Sequence, residues 1–331
     1  MKRFWPLVLL ILPVAVLIPF LPLRRIAWRL TSGEEGYPSW IVWFMSRQRP
    51  DGSWNEGPAT LEGHPLNRPG TTGLALLTFL GARYSHLSKD QYEWHDVGPC
   101  VKSGLEWIMR DQLPDGTFQS SAGTLDHTLA TLALSEAYGL TGSNRFKNEA
   151  QKATDALVEM VLSGQLKEDA SLHAWAAGTI ASAEIAGLQV KREAFERIRG
   201  FYDARVDQPA DAGEIWTRIM FDKKKDHPRL APGADRLVAR PPRWDQQDYA
   251  SWYWGSLALY QYDGPDGAAW KAWNDPLRTT LVNSHSSRGD WPGRNRGETF
   301  VQTCQASLTL MIYYRYANVF GTARGTLPSR P

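Results

Sequence analysis

The sequence reads Gln48-Arg49-Pro50-Asp51-Gly52-Ser53-Trp54 directly after a short apolar stretch. The same pattern returns as Gln112-Leu113-Pro114-Asp115-Gly116-Thr117-Phe118, and a more divergent copy reads His285-Ser286-Ser287-Arg288-Gly289-Asp290-Trp291. Pro-Asp-Gly is a turn sequence, because proline presets φ and glycine accepts a positive φ. Each copy follows an apolar helical stretch, at 40–45, 101–109 and 273–282. The repeat therefore predicts helices that end in the same turn, with the trailing aromatic residue folded back onto the helix before it.

A second kind of helix follows these turns and is richer in small residues. Its members lie at 71–81, 126–134, 173–187 and 303–316, and they are apolar nearly all round. Helices with that pattern are buried. The alternation predicts an outer layer of longer amphipathic helices around an inner layer of smaller, buried ones. Stacked helical pairs can stay open or close into a ring, and the periodicity by itself leaves both possible.

Counting the segments gives six helical pairs. We expect outer helices near 38–48, 98–112, 144–163, 191–206, 228–239 and 268–284. We expect inner helices near 70–84, 125–139, 170–187, 212–223, 247–262 and 299–317. The pattern is weakest in the fourth and fifth pairs, where it is broken by Pro209, Pro228, Pro232, Pro241 and Pro242.

The Gln-x-x-x-Gly-x-Trp turn at 48–54 resembles the repeat of squalene and hopene cyclases and of protein prenyltransferase β-subunits. The third helix pair and the segments 252–259, 270–281 and 307–316 look like a bacterial branch of squalene-cyclase-like repeat proteins. The resemblance covers residues 37–320. It implies an all-α fold, a closed six-hairpin α/α toroid (α6/α6 barrel) whose inner helices line a central cavity, and it leaves the activity open because fold does not carry function.

The catalytic motifs of that superfamily are incomplete in this chain. Hopene cyclases place their acid in an Asp-x-Asp-Asp cluster, and the nearest approach here, Asp245-Gln246-Gln247-Asp248, has a different spacing. Protein prenyltransferases bind zinc through Asp, Cys and His. In the matching positions Asp248 is kept, while Ala250 replaces the cysteine and Gln302 the histidine. The Cys-Gly-Glu-Gln motif of complement-type thioester domains is absent. We therefore expect no zinc site and no cofactor.

Polar residues remain at the starts of the predicted inner helices, and a toroid would bring them to one mouth. Asp126, Ser171 and Asp248 fit helix capping, and Asp248 or Asp126 with His127 could alternatively act as a general acid. His127 and His173 could join Asp126 as metal ligands or lie satisfied in the core. Further candidates for a cavity wall or ligand site are His173, Trp175, Trp216, Trp252, Trp254 and Gln302.

The N-terminus carries a candidate membrane anchor. Residues 4–23 are uncharged, and 20 residues suffice to cross a bilayer core of ~30 Å. A cleaved signal peptide is the alternative, but no small-x-small cleavage site follows. We expect three parts: an anchor or signal-anchor at 1–30, the toroid at 37–320 and a flexible tail at 321–331. Basic residues flank the apolar run on both sides, so the positive-inside rule barely discriminates. We expect an extracytoplasmic, periplasmic domain.

Charge and cysteine content exclude other classes. The chain has 37 basic and 35 acidic residues, a net charge of +2, which argues against a nucleic-acid binder. Cys100 and Cys304 form no metal-binding or disulfide framework. They could form one bridge or lie free as small core residues.

Two functions from different classes follow. The first is a membrane-tethered binding or scaffold module for a protein partner or an apolar, isoprenoid ligand. The alternative is an enzyme with terpenoid cyclase-like or prenyl-transfer chemistry on an isoprenoid or other lipid. A third hypothesis, a carbohydrate-processing toroid with paired carboxylates, would rest on Asp51 and Asp115, which lie in turns.

Overall fold

A computed structural model describes residues 39–312 of the chain. The predicted anchor, the tail and the end of the last inner helix lie outside this range. Six outer helices are α1 (Ser39–Met45), α3 (Val97–Asp111), α5 (Asn144–Leu162), α7 (Arg192–Asp203), α9 (Leu230–Val238) and α11 (Ala268–Val282). Six inner helices are α2 (Arg68–Gly81), α4 (Thr124–Thr141), α6 (Ala170–Ile185), α8 (Ala212–Asp222), α10 (Tyr249–Asp263) and α12 (Arg296–Leu310).

The inner helices form a closed ring. Each contacts the next in chain order from α2 to α12, and α12 contacts α2 again. The closure is reinforced by an ion pair between Arg296 Nη2, at the start of α12, and Glu56 Oε2 at 2.7 Å. The open arrangement, which periodicity alone allowed, is therefore not the one adopted.

Small residues let the inner helices approach one another closely. A Cβ atom added to Gly73 of α2 would lie 2.7 Å from the carbonyl carbon of Leu129 on α4. All residues of α4 from Leu125 to Ser135 are buried, as expected for a helix enclosed by two inner neighbours and an outer helix. The composition that predicted an inner layer is thus the cause of its tight packing.

The repeated turns pack against the next outer helix. Gly52 has a φ of +94°, and the Gln48 amide Nε2 donates to Gly52 O at 2.9 Å and to Cys100 O of α3 at 2.8 Å. The Trp54 indole folds back and donates to Phe44 O of α1 at 2.8 Å. In the third copy Trp291 Nε1 donates to Leu281 O of α11 at 3.0 Å. The predicted role of the trailing aromatic residue is confirmed in the first and third copies.

The proline-rich fourth and fifth pairs are held by a buried ion cluster. Glu214 of α8 is fully buried. Its carboxylate accepts from Arg218 Nε at 2.8 Å and from Arg229 Nη2 at 2.7 Å. Arg229 immediately precedes α9, so the cluster ties together the fourth and fifth pairs, where the predicted pattern was weakest. Buried charges are tolerated when paired in this way.

Two short hairpins interrupt the helical pattern and were not predicted. The first joins β1 (Ala59–Leu61) to β2 (His64–Leu66), and the second joins β3 (Gln91–Tyr92) to β4 (His95–Asp96). Each turns through a glutamate with positive φ, 51° at Glu62 and 52° at Glu93.

Cys100 and Cys304 are both free and buried. No helix within residues 39–312 is both long and apolar enough to cross a membrane.

Candidate functional site

The β1–β2 hairpin, residues 59–66, lies across the ring face where the inner helices begin; we call it the mouth hairpin. Strand β1 contacts α12. At the other end, His64 Nε2 lies 3.0 Å from Asp169 Oδ2, just before α6. Because α6 and α12 are three steps apart in a ring of six helices, the hairpin spans the mouth from one side to the other.

The tip of the mouth hairpin directs the Glu62 carboxyl between α6 and α10. Glu62 Oε1 accepts from the indole Nε1 of Trp175 at 3.1 Å and of Trp254 at 3.2 Å. The Ser171 hydroxyl donates to Oε2. Burial raises the pKa of Glu62 above its usual value, against the opposing effect of these three hydrogen bonds. The result is a carboxyl group held by neutral donors.

Aromatic side chains surround this carboxyl. Trp175 stacks on Tyr253, with ring centroids 5.4 Å apart, and meets Trp254 edge-on at 5.1 Å. Trp216 meets Trp254 edge-on at 6.1 Å. Three of the four tryptophans singled out in the sequence therefore form one cluster. Trp252 lies outside it and packs on Tyr249 at 4.9 Å.

A cavity of about 880 Å³ lies beside the mouth hairpin, at the first turns of α10 and α12. Asp248, Ala250 and Gln302 all line it, so the three positions aligned by the family resemblance do meet at the mouth. Alanine and glutamine stand in two of them, so the ligand set of the zinc site in the family that the chain resembles is incomplete at this cavity. Within residues 39–312, no group of three or more His, Cys, Asp and Glu side chains is placed to hold a metal ion.

Three buried polar atoms on residues that line this cavity have no hydrogen-bond partner in the described part of the chain: Tyr249 Oη, Gln302 Oε1 and Gln305 Nε2. Tyr249 and Gln305 are 6% and 5% exposed. Burial raises the pKa of Tyr249, and the Glu298 carboxylate adds to the shift. Buried polar groups are almost always paired in native proteins, so these three exceptions on residues of one cavity make it a candidate binding site.

The predicted acids perform structural roles. Asp248 caps α10, because its Oδ1 accepts the Ser251 N–H at 2.9 Å. Asp126 accepts backbone N–H groups from Asn67, Gly70 and Ala122 at 3.0, 2.8 and 2.9 Å. It thus caps the preceding inner helix, and burial raises its pKa to about 6. Ser171 binds Glu62, and Asp169 caps α6 in its place.

The two histidines face outer helices rather than the mouth. His127 Nε2 lies 3.1 Å from Ala153 O of α5, and burial lowers its pKa to about 4. His173 stacks on Phe201 of α7 with ring centroids 3.6 Å apart. The structure therefore separates them from each other and from the cavity, because each ring fills a gap between layers. Asp51 and Asp115 accept from Ser53 and Thr117 within their own turns.

Sequence reasoning did not single out Glu62. Its signal is local: Glu62-Gly63 separates two runs of three residues, a spacing that suits a two-residue hairpin. The burial of its carboxyl depends on partners 113 and 192 residues away.

Neither a family model nor a curated protein sequence matches this chain. Solved structures do. A variant of the type II terpene cyclase MstE from Scytonema, in complex with its product merosterolic acid A, has a TM-score of 0.58 at 13% identity and covers 89% of this chain and 99% of its own. The GH76A α-1,6-mannanase from Salegentibacter sp. HEL1_6 has a TM-score of 0.55 at 14% identity and covers 88% and 99%.

These likenesses concern the fold, since every identity lies far below 25%. The two neighbours carry out different reactions on the same architecture, so the fold leaves the chemistry of this chain open. They establish that the described part of the chain, which is helical with a few short strands, has the α/α toroid fold.

Proposed function

We propose that this chain is a membrane-tethered binding module whose α/α toroid presents the mouth cavity to a ligand or to a segment of a partner protein. The tether is the apolar segment at 4–23. The observation that carries the proposal is the set of unpaired polar atoms on Tyr249, Gln302 and Gln305 around one cavity. Each unpaired buried group costs about 1–3 kcal/mol, and a ligand that pairs them recovers that cost.

Binding is favoured over catalysis because the predicted acids are already engaged. Asp126 accepts three backbone N–H groups. Asp248 caps its helix. His127 stays neutral at pH 7 because burial lowers its pKa to about 4, and it faces an outer helix. Asp126 and His127 do not line the mouth cavity, and Asp248, which does, has its Oδ1 engaged as a helix cap.

A cavity-filling substitution tests the proposal. Ala250 lines the cavity in the first turn of α10, and Ala250→Trp would occupy part of its volume. Ala268 is an exposed alanine at the start of α11, so Ala268→Trp is a matched control. The full chain is purified from membranes, and its co-purifying lipids and proteins are identified by mass spectrometry. We expect a specific compound or partner with the wild type and Ala268→Trp and its loss with Ala250→Trp; equal recovery from all three contradicts the proposal.

An enzyme acting on an isoprenoid or other lipid is the second candidate, and Glu62 favours it. A carboxyl group whose pKa is raised by burial can remain protonated and donate a proton, and the wall of Trp175, Trp216 and Trp254 suits an apolar substrate. Incubation with geranylgeranyl compounds and squalene, followed by product analysis, tests this function. Turnover that is lost in Glu62→Gln supports it, and turnover that survives this change rules out Glu62 as the acid.

A further inference from the structure

The groups that hold Glu62 form a receptor for a carboxyl group. Trp175 and Ser171 belong to α6 and Trp254 to α10, so the donors come from two inner helices rather than from the mouth hairpin. The two indole rings also have packing partners other than Glu62. Trp175 stacks on Tyr253, and Trp254 is packed against Trp216. Two indole N–H groups and a hydroxyl therefore converge on one point in the ring wall.

The three donors of the receptor need a hydrogen-bond acceptor. Without Glu62, two buried indole N–H groups and one hydroxyl would face an aromatic cluster, and each unsatisfied donor costs about 1–3 kcal/mol. Within residues 39–312, the side chains that donate to the Glu62 carboxyl are Ser171, Trp175 and Trp254, and all three are neutral. A carboxyl group with an apolar body matches this combination of neutral donors and aromatic walls.

The mouth hairpin is a small element for one that fills a receptor. Its strands have three residues each, and its buried apolar side chains are Ala59, Leu61 and Leu66. Thr60, Gly63 and Pro65 are exposed. The ion pair between His64 and Asp169 is partly exposed, with side chains 26% and 36% accessible, and such pairs contribute about 0–1 kcal/mol.

We propose that Ser171, Trp175 and Trp254 form the binding site for the carboxyl head of an amphiphilic ligand, and that Glu62 occupies this site in cis until the ligand displaces the mouth hairpin. The inference rests on the proposed binding function and names its ligand class, a carboxylic acid with an apolar or aromatic body. The displaced hairpin would also uncover the mouth cavity that it borders through Ala59, Thr60 and Leu66.

A substitution that removes the Glu62 carboxyl from the site tests the proposal. The full chain carrying Glu62→Ala is titrated with hexanoate and, as the matched probe without a carboxyl group, with 1-hexanol; binding is followed by calorimetry and by the change in thermal midpoint. We expect hexanoate to bind at least about tenfold more tightly than 1-hexanol, because one or more hydrogen bonds of about 1–1.5 kcal/mol are regained. The wild type should bind hexanoate at least about tenfold more weakly, since Glu62 competes.

A second substitution assigns the donor. Adding Trp254→Phe to Glu62→Ala removes one indole N–H and should weaken hexanoate about tenfold while leaving 1-hexanol unchanged. Equal affinities for the two probes, or hexanoate binding that Trp254→Phe does not alter, overturn the inference. If Glu62→Ala fails to fold, Glu62→Gly takes its place, because glycine accepts the positive φ of 51° at this position and leaves the site empty: tighter hexanoate binding than the wild type supports the site, and unchanged binding overturns it.

The failure of this inference and that of the proposed function are distinguishable. Ala250→Trp fills the mouth cavity at the first turn of α10, whereas the titration of Glu62→Ala with hexanoate and 1-hexanol reads the receptor directly. Loss of the co-purifying ligand in Ala250→Trp, together with equal binding of hexanoate and 1-hexanol to Glu62→Ala, would retain the binding module and reject the carboxyl receptor.

Discussion

Asp126 Oδ1 on one inner helix accepts the backbone N–H of Gly70, at the start of the preceding inner helix, over 2.8 Å. A Cβ atom on Gly70 would lie 1.9 Å from that oxygen. Glycine is therefore required for the carboxylate to reach the backbone. The contact links two consecutive pairs of the toroid at the mouth, and it accounts for an aspartate that the sequence also offered as a catalytic acid.

Removing that carboxylate should destabilise the toroid. Asp126→Ala leaves the N–H groups of Asn67, Gly70 and Ala122 without an acceptor, and we expect a loss of about 3 kcal/mol in the free energy of unfolding. Asp126→Asn keeps Oδ1 and should lose less than half as much. Chemical denaturation of the full chain measures both. A catalytic role without a structural one would instead leave the stability of both variants unchanged.

The repeated turns predict a second stability difference. Gly52 has a φ of +94°, and a Cβ atom there would lie 2.4 Å from Ser103 O of α3. Gly57 has a φ of +110° with no atom within 4 Å of such a Cβ. We expect Gly57→Ala to cost about 1–3 kcal/mol from backbone strain alone. Gly52→Ala should cost at least about 2 kcal/mol more, because overpacking adds to the strain. Equal costs in denaturant titrations would mean that the turn does not need its close contact with α3.

The burial of His127 should make the stability of the fold depend on pH. Its pKa falls from 6.5 to about 4 on folding, because burial disfavours the charged ring. Between these values the unfolded chain binds a proton that the folded one does not, so stability falls as pH falls from 6.5 to about 4. At about 1.4 kcal/mol per pKa unit, the loss is about 3 kcal/mol.

The measurement compares His127→Gln with the wild type. Glutamine does not titrate and can still donate to Ala153 O, so the variant should lose about 3 kcal/mol less over this range. Asp126, whose pKa burial raises to about 6, titrates in both proteins, and its contribution cancels in the difference. Parallel curves for the two proteins would show that His127 takes up its proton in the folded state as readily as in the unfolded one.

The layers of the toroid were predictable because they depend on local patterns. The Pro-Asp-Gly turn, the apolar outer faces and the small residues of α2, α4 and α6 each act within a few residues, and the predicted boundaries lie close to the observed ones. The burial and hydrogen bonding of the Glu62 carboxyl were not predictable in this way. Its partners Trp175 and Trp254 are brought to it only by ring closure.

The mouth residues show the same limit. Asp248, Ala250 and Gln302 could be aligned with a family motif, and they do meet in the cavity. The direction of each side chain could not be derived from that alignment. His127 and His173 lie near the starts of inner helices as predicted. Their side chains, however, point to the helix faces that contact α5 and α7. A helix start fixes the end of the ring at which a residue lies and leaves its face undetermined.

The unpaired hydroxyl of Tyr249 makes a prediction that joins stability to function. Tyr249 Oη is buried without a partner among residues 39–312, so Tyr249→Phe should remove a desolvated polar group and raise the free energy of unfolding by up to about 1 kcal/mol. Tyr84 is the matched control, because its hydroxyl lies 2.6 Å from that of Tyr92 and Tyr84→Phe should lower stability by about 1 kcal/mol. If the cavity binds the ligand through Tyr249, the stabilised variant should also recover less of the co-purifying compound. Lower stability in Tyr249→Phe would show that the hydroxyl is already satisfied, and it would remove one of the three atoms on which the binding site rests.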